Sequence, residues 1–368
     1  MNISCWMTLV ADFFAWYCRP GVYQAEKIAR LFRNLVLLFL FFNLVACTEP
    51  EVSRFQGPTM GTSYSVVIPR LPSDVSTQVV QTGIESILLQ VNQQMSTYIK
   101  DSELSQINQS EAGLWLNVSP ELFDVILSAN LISEQTKGAF DVTVGPLVNL
   151  WGFGPPELLA SAMPSEEQIA RTRQVVGYHK LEIKPESRLL RKQFKNLFID
   201  LSAIAKGYGV DAVASYLDSL SIEDYLIEIG GELIAKGLSQ RGDYWRVAVE
   251  KPQPGQRMID RVIDVADFAV ATSGDYRNYF EKDGVRFSHT IDPRTGRPIS
   301  HSLASVTVLS ESTMIADAWA TALMVLGEVE GYELAEEMEL AVYFLYRQDD
   351  GFISKETSAF TRLTKNSG

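Results

Sequence analysis

Residues 304–327 read ASVTVLSESTMIADAWATALMVLG, and the change of period inside that stretch sets the fold class. Ala304–Leu309 reads as a strand. From about Ser312 the pattern turns helical: Ile315, Trp319, Ala322, Leu323 and Leu326 fall on one face, and the helix is expected to end before Gly327. Beyond it, Ala341–Tyr346 and Phe352–Ile353, split by Asp350-Gly351, suggest a hairpin. Upstream, strands are expected at Tyr64–Ile68, Leu197–Leu201, Tyr225–Ile229, Trp245–Val249 and Val262–Val265. Asp283-Gly284 is a tight turn between Tyr279–Phe280 and Val285–Phe287. Val80, Ile84, Ile87, Leu88, Val91 and Met95 keep helical spacing from Thr77 to Met95. Ser119-Pro120 opens a second helix, with a stripe of Leu122, Val125, Ile126, Ala129 and Ile132, closed by Lys137-Gly138. Ser165 and Gln168 form a capping box ahead of a third. Helices and strands do not alternate regularly, so neither a barrel nor a doubly wound sheet is compelled. The class is α+β.

The 368 residues are 46% apolar and carry a net charge of −13. Such a chain can bury a core, and its acidity argues against nucleic acid as a partner. Three Cys and three His exclude a disulfide scaffold and a histidine-rich metal centre. Lys27, Arg30 and Arg33 precede the apolar run Leu35–Ala46, too short to span a bilayer, and Leu44-Val45-Ala46-Cys47 resembles a bacterial lipobox. Residues 1–47 are therefore expected to be a leader with lipidation at Cys47, and residues 1–22 an over-extended start or an unusually long leader. Residues 48–368 are expected to be one catalytic domain, with 28 basic against 43 acidic residues. Gly152 to Pro164 reads as a long surface loop.

Five strings could carry chemistry. Asp317 and Thr321, four apart on a helix, put two oxygens on one face, and a carboxylate with a hydroxyl suits a hard cation such as Mg²⁺. From spacing alone, a Thr321 hydroxyl bonded back to the Asp317 carbonyl on an exposed turn is the commoner arrangement. Asp200 to Gly209 (DLSAIAKGYG) joins a strand to a helix and can place a carboxylate, backbone amides and Lys206 around an anion, although it is not a P-loop. Ser288 to Pro298 (SHTIDPRTGRP) runs into a turn and holds His289 beside Asp292. A serine hydrolase is excluded because no G-x-S-x-G exists. Met60 and Tyr98, in TMGT and STY, could sandwich a flat ring or simply fill the core. Gly138 to Leu147 reads as loop-to-strand.

Taken together the strings are specific. TMGT, FDVTVGPLVNLWGFG, DLSAIAKGYGVD, IGGEL, TSGDYRNY, SHTIDPRTGRP and ADAWATALMVLG occur in the order seen in the ApbE family, which the chain closely resembles from about Thr59 to the C-terminal hairpin. The resemblance implies a single T-fold-like catalytic domain with mixed or antiparallel sheets and packed helices. It implies Mg²⁺-dependent transfer of the FMN moiety of FAD to a threonine hydroxyl of an acceptor protein, releasing AMP. By the same resemblance Met60, Tyr98, Ala139, Phe140, Asp141, Asp200, Lys206 and Ile291 would contact FAD, and the Ala203 carbonyl, Asp317 and Thr321 would hold Mg²⁺. Some members have an acidic residue just before the Thr, where this chain has Ala320, so one Mg²⁺ site is expected.

The diphosphate of FAD carries two negative charges toward an acidic protein, so local positive charge is needed. Mg²⁺ and Lys206 would supply it. His289 is the candidate base for the acceptor hydroxyl and Asp292 the second choice. The family also implies acceptors among flavin-carrying subunits of membrane redox pumps, such as the sodium-translocating NADH:quinone reductase and Rnf complexes. It implies an inner-membrane lipoprotein on the periplasmic side. A Mg²⁺-dependent FAD pyrophosphatase and a non-catalytic FAD-binding lipoprotein are the competing readings. A redox flavoprotein is disfavoured because no G-x-G-x-x-G is found.

Overall fold

The strand that opens the stretch quoted above, Leu303–Ser310, is the sixth of eight in one antiparallel sheet. In chain order its strands are β1 (Ser53–Thr59), β2 (Thr62–Ile68), β3 (Tyr225–Ile229), β4 (Glu232–Lys236), β5 (Phe268–Gly274), β6 (Leu303–Ser310), β7 (Ala341–Gln348) and β8 (Gly351–Glu356). Their order in space is the same as in the chain, and each neighbouring pair is antiparallel. The structure, a computed structural model, describes residues 52–154, 163–252, 258–275, 279–282, 285–348 and 351–365. The proposed leader with Cys47, the turn Asp283-Gly284, Asp350 and most of the 152–164 loop lie outside the described residues.

Four helices matter for the site: α1 (Thr77–Met95), α2 (Pro120–Gln135), α3 (Ala205–Ser219) and α4 (Thr313–Glu337). The apolar spacing in Thr77–Met95 buries Val80, Ile84, Leu88, Val91 and Met95, with Ser76 as N-cap. Helix α1 packs on α3, α3 on α4, and α4 on β5 and β6. The opposite face of the sheet is covered by the hairpin of Trp245–Glu250 and Ile259–Val265 and by a C-terminal helix, Ser358–Lys365. With both faces covered, β6 is buried along nearly its whole length.

Two expectations need correction. Leu197–Leu201 is buried but is not a strand: the Asn108 side chain takes the Ile199 N–H on Oδ1 (2.8 Å) and donates Nδ2 to the Ile199 carbonyl (2.8 Å), standing in for a neighbouring strand. Gly138 to Leu147 does not lead into a strand. The Asp141 side chain accepts the Thr143 N–H, which makes a turn, and a short helix Gly145–Leu150 follows with Pro146 in its first turn. The expected helix end at Gly327 is found: the backbone there is non-helical, at φ 80° and ψ −165°, and a second helical segment carries α4 on to Glu337.

Candidate functional site

A cavity of about 810 Å³ opens where the start of α3, the middle of α4 and the turn before β4 meet the 288–293 loop. Its size is that of a pocket for a drug-sized or larger ligand. The floor is built by two helices that hold each other's N-termini. Asp211 on α3 accepts the Ser312 hydroxyl (2.7 Å) and the Thr313 and Met314 N–H groups (2.8 and 3.0 Å) at the start of α4. In return Asp317 on α4 accepts the Gly207 N–H (3.1 Å) in the first turn of α3. Glycine is needed at 207, since a Cβ there would lie 2.4 Å from the Thr313 carbonyl oxygen.

That reciprocal arrangement leaves oxygens open. In a regular helix the Gly207 N–H would close on the Ala203 carbonyl. It goes to Asp317 instead, and among the described residues no backbone N–H takes its place. The Asp317 Oδ1 and the Thr321 hydroxyl likewise have no hydrogen-bond partner among the described residues, although Asp317 is buried. The back-bonded, exposed turn that the spacing also allowed is therefore not what forms. A carboxylate, a hydroxyl and a carbonyl are all hard oxygen donors, and together they fit one Mg²⁺. No group of three acidic, histidine or cysteine side chains suited to a metal occurs among the described residues.

Beside these oxygens sits Lys206. Its Nζ lies 3.4 Å from Asp317 Oδ2, 3.6 Å from Glu232 Oε1 and 3.2 Å from the Ser202 carbonyl oxygen. Burial pulls the Lys206 ammonium toward deprotonation, but the two carboxylates overcome this and raise its pKa. Glu232 opens β4 and is itself buried. Burial and then the Asp317 charge push its carboxyl up to about 8, against the pull of Lys206.

The walls gather most of the remaining candidates. Tyr98, Ala139, Phe140, Asp141, Asp200, Ala203, Lys206, His289, Ile291, Asp317 and Thr321 all line the cavity. Tyr98 is 73% exposed, at the mouth. Asp141 accepts the Thr143 hydroxyl (2.7 Å) and the Tyr178 N–H (2.7 Å), and burial raises its pKa against those bonds. Asp200 accepts the Ser202 N–H (2.9 Å), so both carboxylates brace the turns that carry them. His289 stands edge-on to Phe153, ring centroids 6.4 Å apart. Its loop is tied down by the Trp151 indole N–H, which donates to the Gly296 carbonyl (2.8 Å).

Two candidates are placed elsewhere. Asp292 lies outside the cavity lining, its carboxylate held by Arg294, which also pairs with Glu330. Met60 occupies the β1–β2 turn at φ 49° and packs into the core beside Gly209, also outside the lining. Glu232 is the residue that sequence reasoning missed. The signal was an acidic side chain opening an apolar strand directly after Gly230-Gly231.

The description "ApbE family" matches residues 60–344 of the chain. The chain is 48% identical over 327 residues to an FAD:protein FMN transferase of Vibrio cholerae, covering 89% of this chain and 97% of that protein. It is 44% identical to one of Haemophilus influenzae, covering 91% and 99%. Among solved structures, the flavin transferase ApbE from Vibrio cholerae superposes with a TM-score of 0.79 at 46% identity, covering 85% of this chain and 99% of that one. The apo flavinyl transferase ApbE of Pseudomonas stutzeri gives 0.79 at 39% identity, covering 87% and 99%.

Proposed function

Because the chain belongs to the ApbE family, we infer that it is an FAD:protein FMN transferase, a transferase that takes FAD as substrate. We propose further that the acceptor is a threonine hydroxyl, that AMP is released and that the reaction depends on Mg²⁺. One observation carries this reading: a single cavity floor joins Lys206 to three oxygens, of Ala203, Asp317 and Thr321, that lack protein partners.

These three oxygens would hold Mg²⁺, which when bound supplies the charge that offsets the diphosphate in an acidic protein. Lys206 adds a fixed ammonium at the same floor. Tyr98 at the mouth and Phe140 in the wall offer ring faces for the flavin. The loop carrying His289 brings an imidazole to the cavity. There it accepts the proton of the acceptor hydroxyl as that oxygen bonds to the FMN phosphorus and the bond from phosphorus to the AMP oxygen breaks. Asp292 is the weaker base because its carboxylate is engaged by Arg294.

The leader reading supports an anchor through lipidated Cys47 on the periplasmic face of the inner membrane, and membership of the family supports acceptors among flavin-carrying subunits of membrane redox pumps. Mass spectrometry of Cys47 tests the anchor. Incubating the protein with FAD and Mg²⁺, with and without a threonine-bearing acceptor, tests the activity. Flavin attached to the acceptor is expected. Free FMN alone would make the protein a pyrophosphatase, and unchanged FAD a carrier.

A further inference from the structure

Lys206 has more partners than it satisfies. Its ammonium is 3.4 Å from Asp317 and 3.6 Å from Glu232, both longer than a formed charge-assisted bond of about 2.7–2.9 Å. It stands between two carboxylates and is gripped by neither. Glu232 Oε2 is buried and has no partner, which is a costly state for a carboxylate. Asp317 Oδ2 is already engaged by the Gly207 N–H. With Glu232 ionised, two carboxylates share one ammonium, and burial together with the Asp317 charge disfavours that state. A divalent cation arriving at Asp317 would face the Lys206 ammonium across a low-dielectric gap, where like charges repel strongly.

Resting on the reading of Asp317 as a cation ligand, we propose that Glu232 is the alternative counter-ion of Lys206. With no cation bound, Lys206 is a tethered placeholder that keeps two buried carboxylates compatible. When a divalent cation takes Asp317, the ammonium is drawn onto Glu232 and stays beside the diphosphate. Glu232 is thus a positioning residue: it acts through Lys206 and sets how readily Asp317 gives up one cation for another.

The test is Mn²⁺ affinity, measured calorimetrically on the full-length, FAD-free protein, so that no transfer step enters. Lys206→Met is expected to tighten Mn²⁺ binding about tenfold, and Glu232→Gln, with Lys206 present, to weaken it about tenfold. In the Lys206→Met background, Glu232→Gln is expected to change the affinity less than about threefold, because the group it acts through is gone. Equal weakening in both backgrounds would overturn the proposal, since Glu232 would then act on the cation directly. Unchanged affinity in Glu232→Gln would overturn it too. A wild-type protein that binds no Mn²⁺ would sink the cation reading itself. Binding that Asp317→Ala removes, with Glu232→Gln neutral, would sink only the present proposal. Should Glu232→Gln fail to melt cooperatively, Glu232→Asp, which keeps the charge and shortens the reach, carries the same double-mutant comparison.

Discussion

Asp211 and Asp317 hold mirror-image posts, each a carboxylate on one helix lying over the N-terminus of the other. Asp211 has short donors on both oxygens, three at 2.7–3.0 Å. Asp317 has a 3.1 Å amide and a 3.4 Å ammonium on one oxygen and nothing on the other. A carboxylate with both oxygens engaged at short range is holding the fold, whereas a buried one with an oxygen to spare is kept for something that arrives later.

If that contrast is right, the two substitutions should separate function from stability. Asp317→Ala is expected to lower Mg²⁺-dependent FMN transfer by about 10³-fold or more, because diphosphate charge is left uncompensated. Its melting temperature should fall less than that of Asp211→Ala. Unaffected turnover would reject Asp317 as a ligand. Asp211→Ala should cost about 3 kcal/mol of stability, from a lost cap and buried donors left unpaired, in chemical denaturation, with transfer per folded molecule largely kept. A variant as stable as wild type would break the contrast from the other side.

His289 belongs to neither class, and its replacement sharpens the comparison. His289→Ala should slow transfer about 10²-fold at saturating FAD while leaving FAD binding and Mn²⁺ affinity in place. A normal rate would reject it as the base.

The smallest effect concerns Glu232. Its folded pKa lies above its ordinary value of 4.5, so between the two the folded protein holds a proton that the unfolded chain has released. Stability of the metal-free, FAD-free protein should therefore fall as pH rises from about 5 to 8, and Glu232→Gln should flatten that slope. The raised pKa of Lys206 acts in the same sense, but only at alkaline pH, where an ordinary lysine loses its proton. An identical slope in wild type and variant would remove Glu232 from the account.

The local patterns were legible wherever one residue's surroundings lie within a helical turn. The stripe in Thr77–Met95, the capping box of Ser165 and Gln168, and the pairing of Asp317 with Thr321 on one face all follow from 3.6-residue periodicity. Leu197–Leu201 misled because alternation reports burial, and the partner that satisfied its backbone was a side chain some ninety residues away. Glu232 was invisible for a similar reason. In the sequence it is a polar residue after two glycines, and only the approach of Lys206 and Asp317 makes it part of a buried charge cluster, with Oε2 left without a partner.

Composition, periodicity and the order of the seven strings determined the α+β class, the acidic character of the protein and a set of candidate residues most of which line one cavity. Which of those residues are spent on the fold and which are left with open lone pairs was decided in three dimensions. Saturation is a property of the donors that converge on an atom, and those donors come from helices and strands that meet only when the chain has closed upon itself.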